Sequence, residues 1–146
     1  MNTQKVAEAF AAAWQAGDAD TLTMLATDNF TFSGAVPEPL PLNAVIGLIL
    51  TLKKAFPDLQ YNATIQRVEG NIAHLTPHLT GTHTGDLDLT AMGLGIIPPS
   101  GKSINLPEET AQITVEGGKV VNYHVVPAPG GGLLGILNQL GVEAPQ

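Results

Sequence analysis

The spacing of apolar residues changes once along this chain, and the change orders its parts. From Thr3 to Ala16, Val6, Phe10, Ala13 and Trp14 recur at helical spacing until Gly17 stops the run. From Leu59 onward the period is two. "LQYNATIQRVEG" reads as a strand ending in a turn at Glu69-Gly70-Asn71, and "NIAHLTPHLTGTHTG" returns as a long strand. "KSINLPEETAQITVEGG" and "KVVNYHVVP" make a further hairpin around Gly117-Gly118. A chain with helices first and antiparallel strands later buries its apolar faces by laying the sheet over the helices. The expected class is α+β, a curved antiparallel sheet wrapped around N-terminal helices.

The connecting segments fit that plan. Asp20 can cap a second short helix through Ala26, and "NFTFSG" at 29–34 is a short strand. Pro37, Pro39 and Pro41 lead irregularly into a helix from about Leu42 to Ala55, which Phe56-Pro57-Asp58 ends. Residues 86–101 read as a loop with apolar content of its own. Its Met92, Leu94, Ile96 and Ile97 either plug a pocket as a lid or add to a dimer surface. Pro127 and Pro129 end the sheet, Gly130–Gly132 form a hinge, and "LLGILNQLG" is a short terminal helix. With no repeat or linker, residues 1–146 read as one domain.

Charge removes several function classes. The net charge is −7, and the six basic residues (Lys5, Lys53, Lys54, Arg67, Lys102, Lys119) are scattered apart from one pair. Nucleic-acid binding needs a basic stripe, and none can be assembled. A strongly anionic substrate lacks cations to hold it. The absence of cysteine excludes disulfide and thiolate chemistry. The most apolar window, "VIGLILTL" at 45–52, is far short of the roughly 20 residues that span a membrane. The N-terminal run carries Glu8 and has no long apolar core, unlike a secretory signal. A soluble, cytoplasmic protein without a membrane partner is expected.

"GIIPPSGKSI" at 95–104 ends like a nucleotide-binding P-loop. That motif needs a glycine where this chain has Ile96, and Pro98 and Pro99 remove two phosphate-cradling N–H groups. A strand also follows Ser103, whereas a P-loop opens a helix. The stretch reads as a rigid Pro-Pro loop turning at Ser100-Gly101 into a strand.

That loop belongs to a series. "AFPDL" at 55–59, "LTGTHTG" at 79–85, "IPPSGKS" at 97–103, "VEGGKVV" at 115–121 and "LLGILNQLG" at 133–141 occur in this order. Together they resemble the SnoaL-like polyketide cyclase and ester cyclase group of the nuclear transport factor 2-like superfamily, over about Ala55 to Gly141. The resemblance implies a cone: a bent antiparallel sheet on helices, with an apolar pocket inside. It implies intramolecular aldol ring closure on a polyketide ester, without metal or cofactor, and a homodimer paired through the sheet. The chain departs from the pattern at the end. The group's Glu-His-Trp-Asp, with another Asp soon after, falls on "VNYHVVPAP". The Trp position lands on His124, and the two Asp positions land on Val125 and Ala128, so the usual acid/base is missing.

Strand parity offers substitutes. In 72–83 one row holds Ala73, Leu75, Pro77, Leu79, Gly81 and His83, and its apolar character points it inward. In 105–115 the matching row is Asn105, Pro107, Glu109, Ala111, Ile113 and Val115, interrupted by the carboxylate of Glu109. In the last strand Val121, Tyr123 and Val125 share a face. Glu109 is thus the candidate acid/base, with His83 and Tyr123 orienting it or polarising a carbonyl. Trp14, Phe30, Leu79, Asn105, Ile113 and His124 are the candidate pocket walls. His74 and His78, four apart on a strand, do not make a metal site, and no metal or cofactor is expected. The weakly charged row with Ile72, Thr76, His78, Thr80 and Thr114 is the expected dimer face. The chain reads as an enzyme moving a proton on a small, largely apolar carbonyl compound. The alternative is a binding or interaction protein that kept the fold and lost the acid. An aromatic content of 5% supplies few stacking surfaces for a flat polycyclic substrate and favours that alternative.

Overall fold

The computed structural model describes residues 2–36, 38–90, 93–126 and 128–141. Pro37, Met92 and Pro127, which figure in the sequence reading, lie outside them. The first helix, α1 (Thr3–Ala16), starts where the Asn2 side chain accepts the Lys5 N–H at 2.8 Å. It ends at Gly17, whose φ of 70° only glycine adopts at little cost. Its buried residues are Val6, Ala7, Phe10, Ala13 and Trp14, the stripe expected from their spacing.

The next helix, α2 (Ala19–Leu25), is capped by Asp18 and not by Asp20. Asp18 accepts from the Thr21 N–H at 3.2 Å and the Thr21 hydroxyl at 2.6 Å, while Asp20 lies in the first turn. Strand β1 (Ala26–Ser33) then begins three residues before the expected Asn29. The two-residue strand β2 (Leu40–Pro41) precedes α3 (Leu42–Ala55), which buries Val45, Leu48, Ile49, Leu52 and Ala55.

The rest of the chain is strands until its last helix. They are β3 (Thr64–Glu69), β4 (Ile72–Thr76), β5 (Thr80–Thr82), β6 (Leu87–Asp88), β7 (Ile96–Ile97), β8 (Ser103–Asn105), β9 (Thr110–Glu116) and β10 (Lys119–Val126). Helix α4 (Gly132–Gln139) follows. The main sheet runs β2-β1-β10-β9-β4-β3. It is antiparallel except between β1 and β10. Those two strands lie far apart in sequence, so no hairpin dictates their relative direction. The architecture is the expected mixed α+β cone, with a curved sheet closing on the helices.

Two prolines break what reads as long strands. Pro77 separates β4 from β5, and Pro107 separates β8 from β9, because neither can donate to a ladder. The breaks lie at one level: the Glu109 N–H bonds to the Pro77 carbonyl, and the Leu106 N–H to the Leu79 carbonyl, both at 3.0 Å. Both strands turn there together, and β5 pairs with β8 as a separate small sheet. The loop at 86–101 also contains a hairpin, β6 with β7. Within it Leu94 and Ile97 pack on the core while Ile96 is exposed.

The buried apolar side chains form one contiguous cluster. At its centre Phe10 lies within 5.8 Å of the Trp14 ring, 5.6 Å of Phe30 and 6.4 Å of Tyr123. Leu75, Ile113 and Val115 are buried, as their parity requires.

Candidate active site

Between α1, α3, the bent part of the sheet and α4 lies a narrow cavity of about 60 Å³. Its walls are almost wholly apolar. Helix α1 supplies Trp14, β1 supplies Phe32, α3 supplies Leu48, Ile49 and Leu52, and α4 supplies Leu133 and Ile136. Glu109, Tyr123 and Tyr61 also line it.

Glu109 reaches the cavity through the Pro107 break. Ile104 and Leu106 point inward, and the next inward residue is Glu109, three positions on and not two. The residues Pro107 and Glu108 between them lie outside any strand, so the alternation restarts one residue late. This corrects the expected row. Asn105 is exposed, where its Oδ1 accepts from the His78 Nε2–H at 2.6 Å, and it is no pocket wall. A similar slip at a bulge in β10 makes Val120 the inward residue and leaves Val121 half-buried.

The Glu109 side chain is 4% exposed and has no cation beside it among the described residues. Its carboxylate accepts the Ala128 N–H at 3.3 Å and the Gly132 N–H at 3.4 Å. Burial pushes its pKa up, and the Gly132 and Ala128 donors pull it down; burial prevails. The turn from Ala128 to Gly132, read from sequence as a hinge, is therefore an anion-binding turn filled by the chain's own carboxylate. Backbone N–H groups at the start of α4 do the work that cations would do elsewhere. A side chain at Gly131 would place Cβ 2.7 Å from the Glu109 carboxyl carbon.

Tyr123 is held on β10 between Ile113 of β9 and Phe32 of β1, with Trp14 4.8 Å away. Burial raises its phenol pKa well above the usual range, and the nearby Tyr61 and Glu109 raise it further. It stays a neutral hydroxyl at any ordinary pH. Tyr61, ahead of β3, was not singled out from sequence. Its place in the alternating row of Leu59, Ala63 and Ile65 marks it as an inward tyrosine.

The structure separates the other candidates. Trp14 and Leu79 line the cavity. Phe30 lies behind the wall against Phe10, and Ile113 is buried within the sheet, so neither lines it. His124 points to the opposite face from Tyr123 and bonds the Ser33 hydroxyl at 2.8 Å. His83 keeps its inward parity and is 0% exposed, but β5 has left the main sheet by then. It stacks on Phe56, and its Nδ1 takes the Ser100 amide at 3.3 Å and meets the Ser100 hydroxyl at 2.9 Å. It pins the Pro-Pro loop and does not border the cavity. Lys102 of the P-loop-like stretch bonds the Leu140 carbonyl, and Ser103 opens β8, as a turn into a strand requires. Asp86, Asp88 and Glu108 are exposed. Among the described residues no three His, Asp or Glu side chains group to hold a metal ion. No described helix is long and apolar enough to cross a membrane.

Comparison with known proteins places this fold. The family model of the SnoaL-like polyketide cyclases matches residues 4–129. No curated protein matches the chain. Among solved structures, a candidate SnoaL-like polyketide cyclase from Jannaschia sp. CCS1 superposes with a TM-score of 0.71 at 19% identity, covering 97% of this chain and 94% of that one. AclR, a candidate hydroxylase from Streptomyces galilaeus, gives 0.69 at 21%, covering 99% and 85%. IdmH, a candidate polyketide cyclase from Streptomyces antibioticus, gives 0.67 at 20%, covering 97% and 100%. At these identities the structures speak for the fold, the cone of the nuclear transport factor 2-like proteins. The match over residues 4–129 carries the rest: this chain belongs to the SnoaL-like polyketide cyclase family.

Proposed function

We propose that the cavity takes a small, largely apolar carbonyl compound and that Glu109 exchanges a proton with it, as a cyclase-like enzyme without a cofactor. One observation carries this. The resemblance puts the family's acids at Val125 and Ala128; Val125 lines the cavity, and the Ala128 N–H is bound to the Glu109 carboxylate. On this reading Glu109, just ahead of β9, stands in for the acid that the resemblance puts on the last strand.

The chemistry follows from the surroundings. Glu109 as carboxylate removes the proton next to the carbonyl, and the C–H electron pair moves to the carbonyl oxygen as an enolate. A neutral tyrosine hydroxyl donates to that oxygen, and the enolate carbon can then attack a second carbonyl of the same molecule. A carboxylate whose pKa burial has raised is a stronger base than a solvated one. Apolar walls hold the carbon body and keep water from competing.

A second reading has support of its own. Both donors on Glu109 belong to the turn that starts α4, so the carboxylate also anchors that helix. A binding protein could use it for nothing else. Glu109→Gln separates the two. The enzyme reading expects turnover of a small ester or keto compound to fall roughly 100-fold or more with the fold kept. Unchanged turnover with a lowered thermal midpoint would leave the binding reading.

A further inference from the structure

We infer that Tyr61 is the hydrogen-bond donor that selects for a carbonyl oxygen in the cavity ligand. The inference rests on the apolar-ligand reading above and adds a residue to it. The Tyr61 hydroxyl is buried and has no hydrogen-bond partner among the described residues. Leaving such a group unpaired is costly, and a ligand that brings an acceptor to it relieves that cost. The cavity lies against this residue, and Tyr123 and Glu109 line the same small space. Tyr61 and Tyr123 are close enough for the charge on one to disfavour charge on the other.

What Tyr61 lacks is an acceptor. The Trp14 indole stands edge-on to its ring, with centroids 6.4 Å apart at 82°. The indole N–H lies near the phenol oxygen, short of hydrogen-bond geometry, and lowers its pKa slightly against the larger rise from burial. An indole only donates. It can serve the lone pairs of that oxygen but cannot receive its proton. Glu109 accepts from the Ala128 and Gly132 amides and makes no hydrogen bond with Tyr61. The missing partner is therefore an acceptor without a proton of its own to place there, which describes a ketone or ester carbonyl on an apolar body. A hydrocarbon of the same shape leaves Tyr61 unpaired, so the site discriminates by this one atom.

The test uses a matched pair, 2-tetralone and its hydrocarbon tetralin. Trp14 is the chain's lone tryptophan and lines the cavity, so its indole N–H resonance reports binding of either. Wild type should prefer the ketone by roughly 10-fold, the upper range for one neutral hydrogen bond. Tyr61→Phe should abolish that preference by weakening the ketone alone, and the free variant should melt at or above the wild-type temperature. A hydroxyl with a purely structural role would instead lower the melting temperature and leave the preference intact. Retained preference in Tyr61→Phe, or no preference in wild type, overturns the inference while leaving Glu109 chemistry standing. Failure of both probes to shift the indole signal in wild type overturns the apolar-ligand reading beneath it.

Discussion

Gly131→Ala should push Glu109 off its anchor. At φ −97° position 131 accepts alanine without backbone strain, so the effect is steric. The new methyl would lie 2.7 Å from the carboxyl carbon and from Oε2, where ordinary contact begins near 3.4 Å. The carboxylate must retreat by about 0.7 Å, and the open direction is the cavity. Its bonds from Ala128 and Gly132, already 3.3 and 3.4 Å, do not survive that. Bonds this long to a charged group are worth about 1 kcal/mol each, below the usual charge-assisted range. The loss of about 2 kcal/mol is offset by ~0.4–1 kcal/mol, because alanine restricts the unfolded chain. A net cost of about 1–1.5 kcal/mol lowers the thermal midpoint by roughly 3–5 °C in a domain of this size. The control is the same change on Glu109→Ala, where nothing is left to clash. There Gly131→Ala should stabilise by ~0.4–1 kcal/mol, a coupling of about 2 kcal/mol in a double-mutant cycle. Equal effects in the two backgrounds would refute the anchoring of Glu109 on this turn.

Other expectations concern charge, packing and association. Because burial holds the folded Glu109 pKa above its unfolded value, its bound proton contributes stability that is complete below the unfolded pKa. That contribution is lost as pH rises through the folded pKa, so the midpoint of Glu109→Gln relative to wild type should climb with pH; a pH-independent difference would contradict it. Phe10→Ala empties the aromatic centre and should cost about 3–5 kcal/mol in denaturant unfolding; a loss under 1 kcal/mol would show that the centre is misjudged. His83→Ala should lower the midpoint and leave 2-tetralone affinity unchanged, since His83 borders the Pro-Pro loop and not the cavity; weakened binding would return it to the site. We expect the face with Ile72, Thr76, His78 and Thr114 to pair with a second copy. Sedimentation at micromolar concentration should then give twice the chain mass of 15.2 kDa, and a mass of 15.2 kDa would exclude an interface of ordinary size.

The helices and the order of helix before sheet were legible because they follow from periodicity. Val6, Phe10, Ala13 and Trp14 are buried as a stripe, and Ala73, Leu75, Pro77 and His83 are buried on the expected row. Parity failed where a residue left the ladder. Pro107 shifted the count so that Ile104 and Leu106 face inward and Asn105 does not, while Glu109 regained its place two residues later. Alternation also cannot say where a strand goes. His83 sits on the inward row but over Phe56, because β5 follows its own small sheet. The donor role of the Ala128 and Gly132 N–H groups was hidden for a different reason. Anion binding by backbone N–H groups leaves no charged residue in the sequence to signal it, and only Glu109's approach reveals it. Tyr61 had a readable signal, an aromatic hydroxyl within an apolar alternating row.

The most direct test of Glu109 as proton carrier needs no natural substrate. In deuterated water, the carbon between the ring and the carbonyl of 2-tetralone loses a proton and gains a deuteron each time an enolate forms and collapses. Proton magnetic resonance follows that signal as it fades. Wild type should accelerate the exchange above buffer, and Glu109→Gln, still binding the ketone by the Trp14 indole signal, should lose roughly 100-fold of the protein-catalysed rate. Equal exchange rates for wild type and Glu109→Gln at saturating ketone would contradict the account.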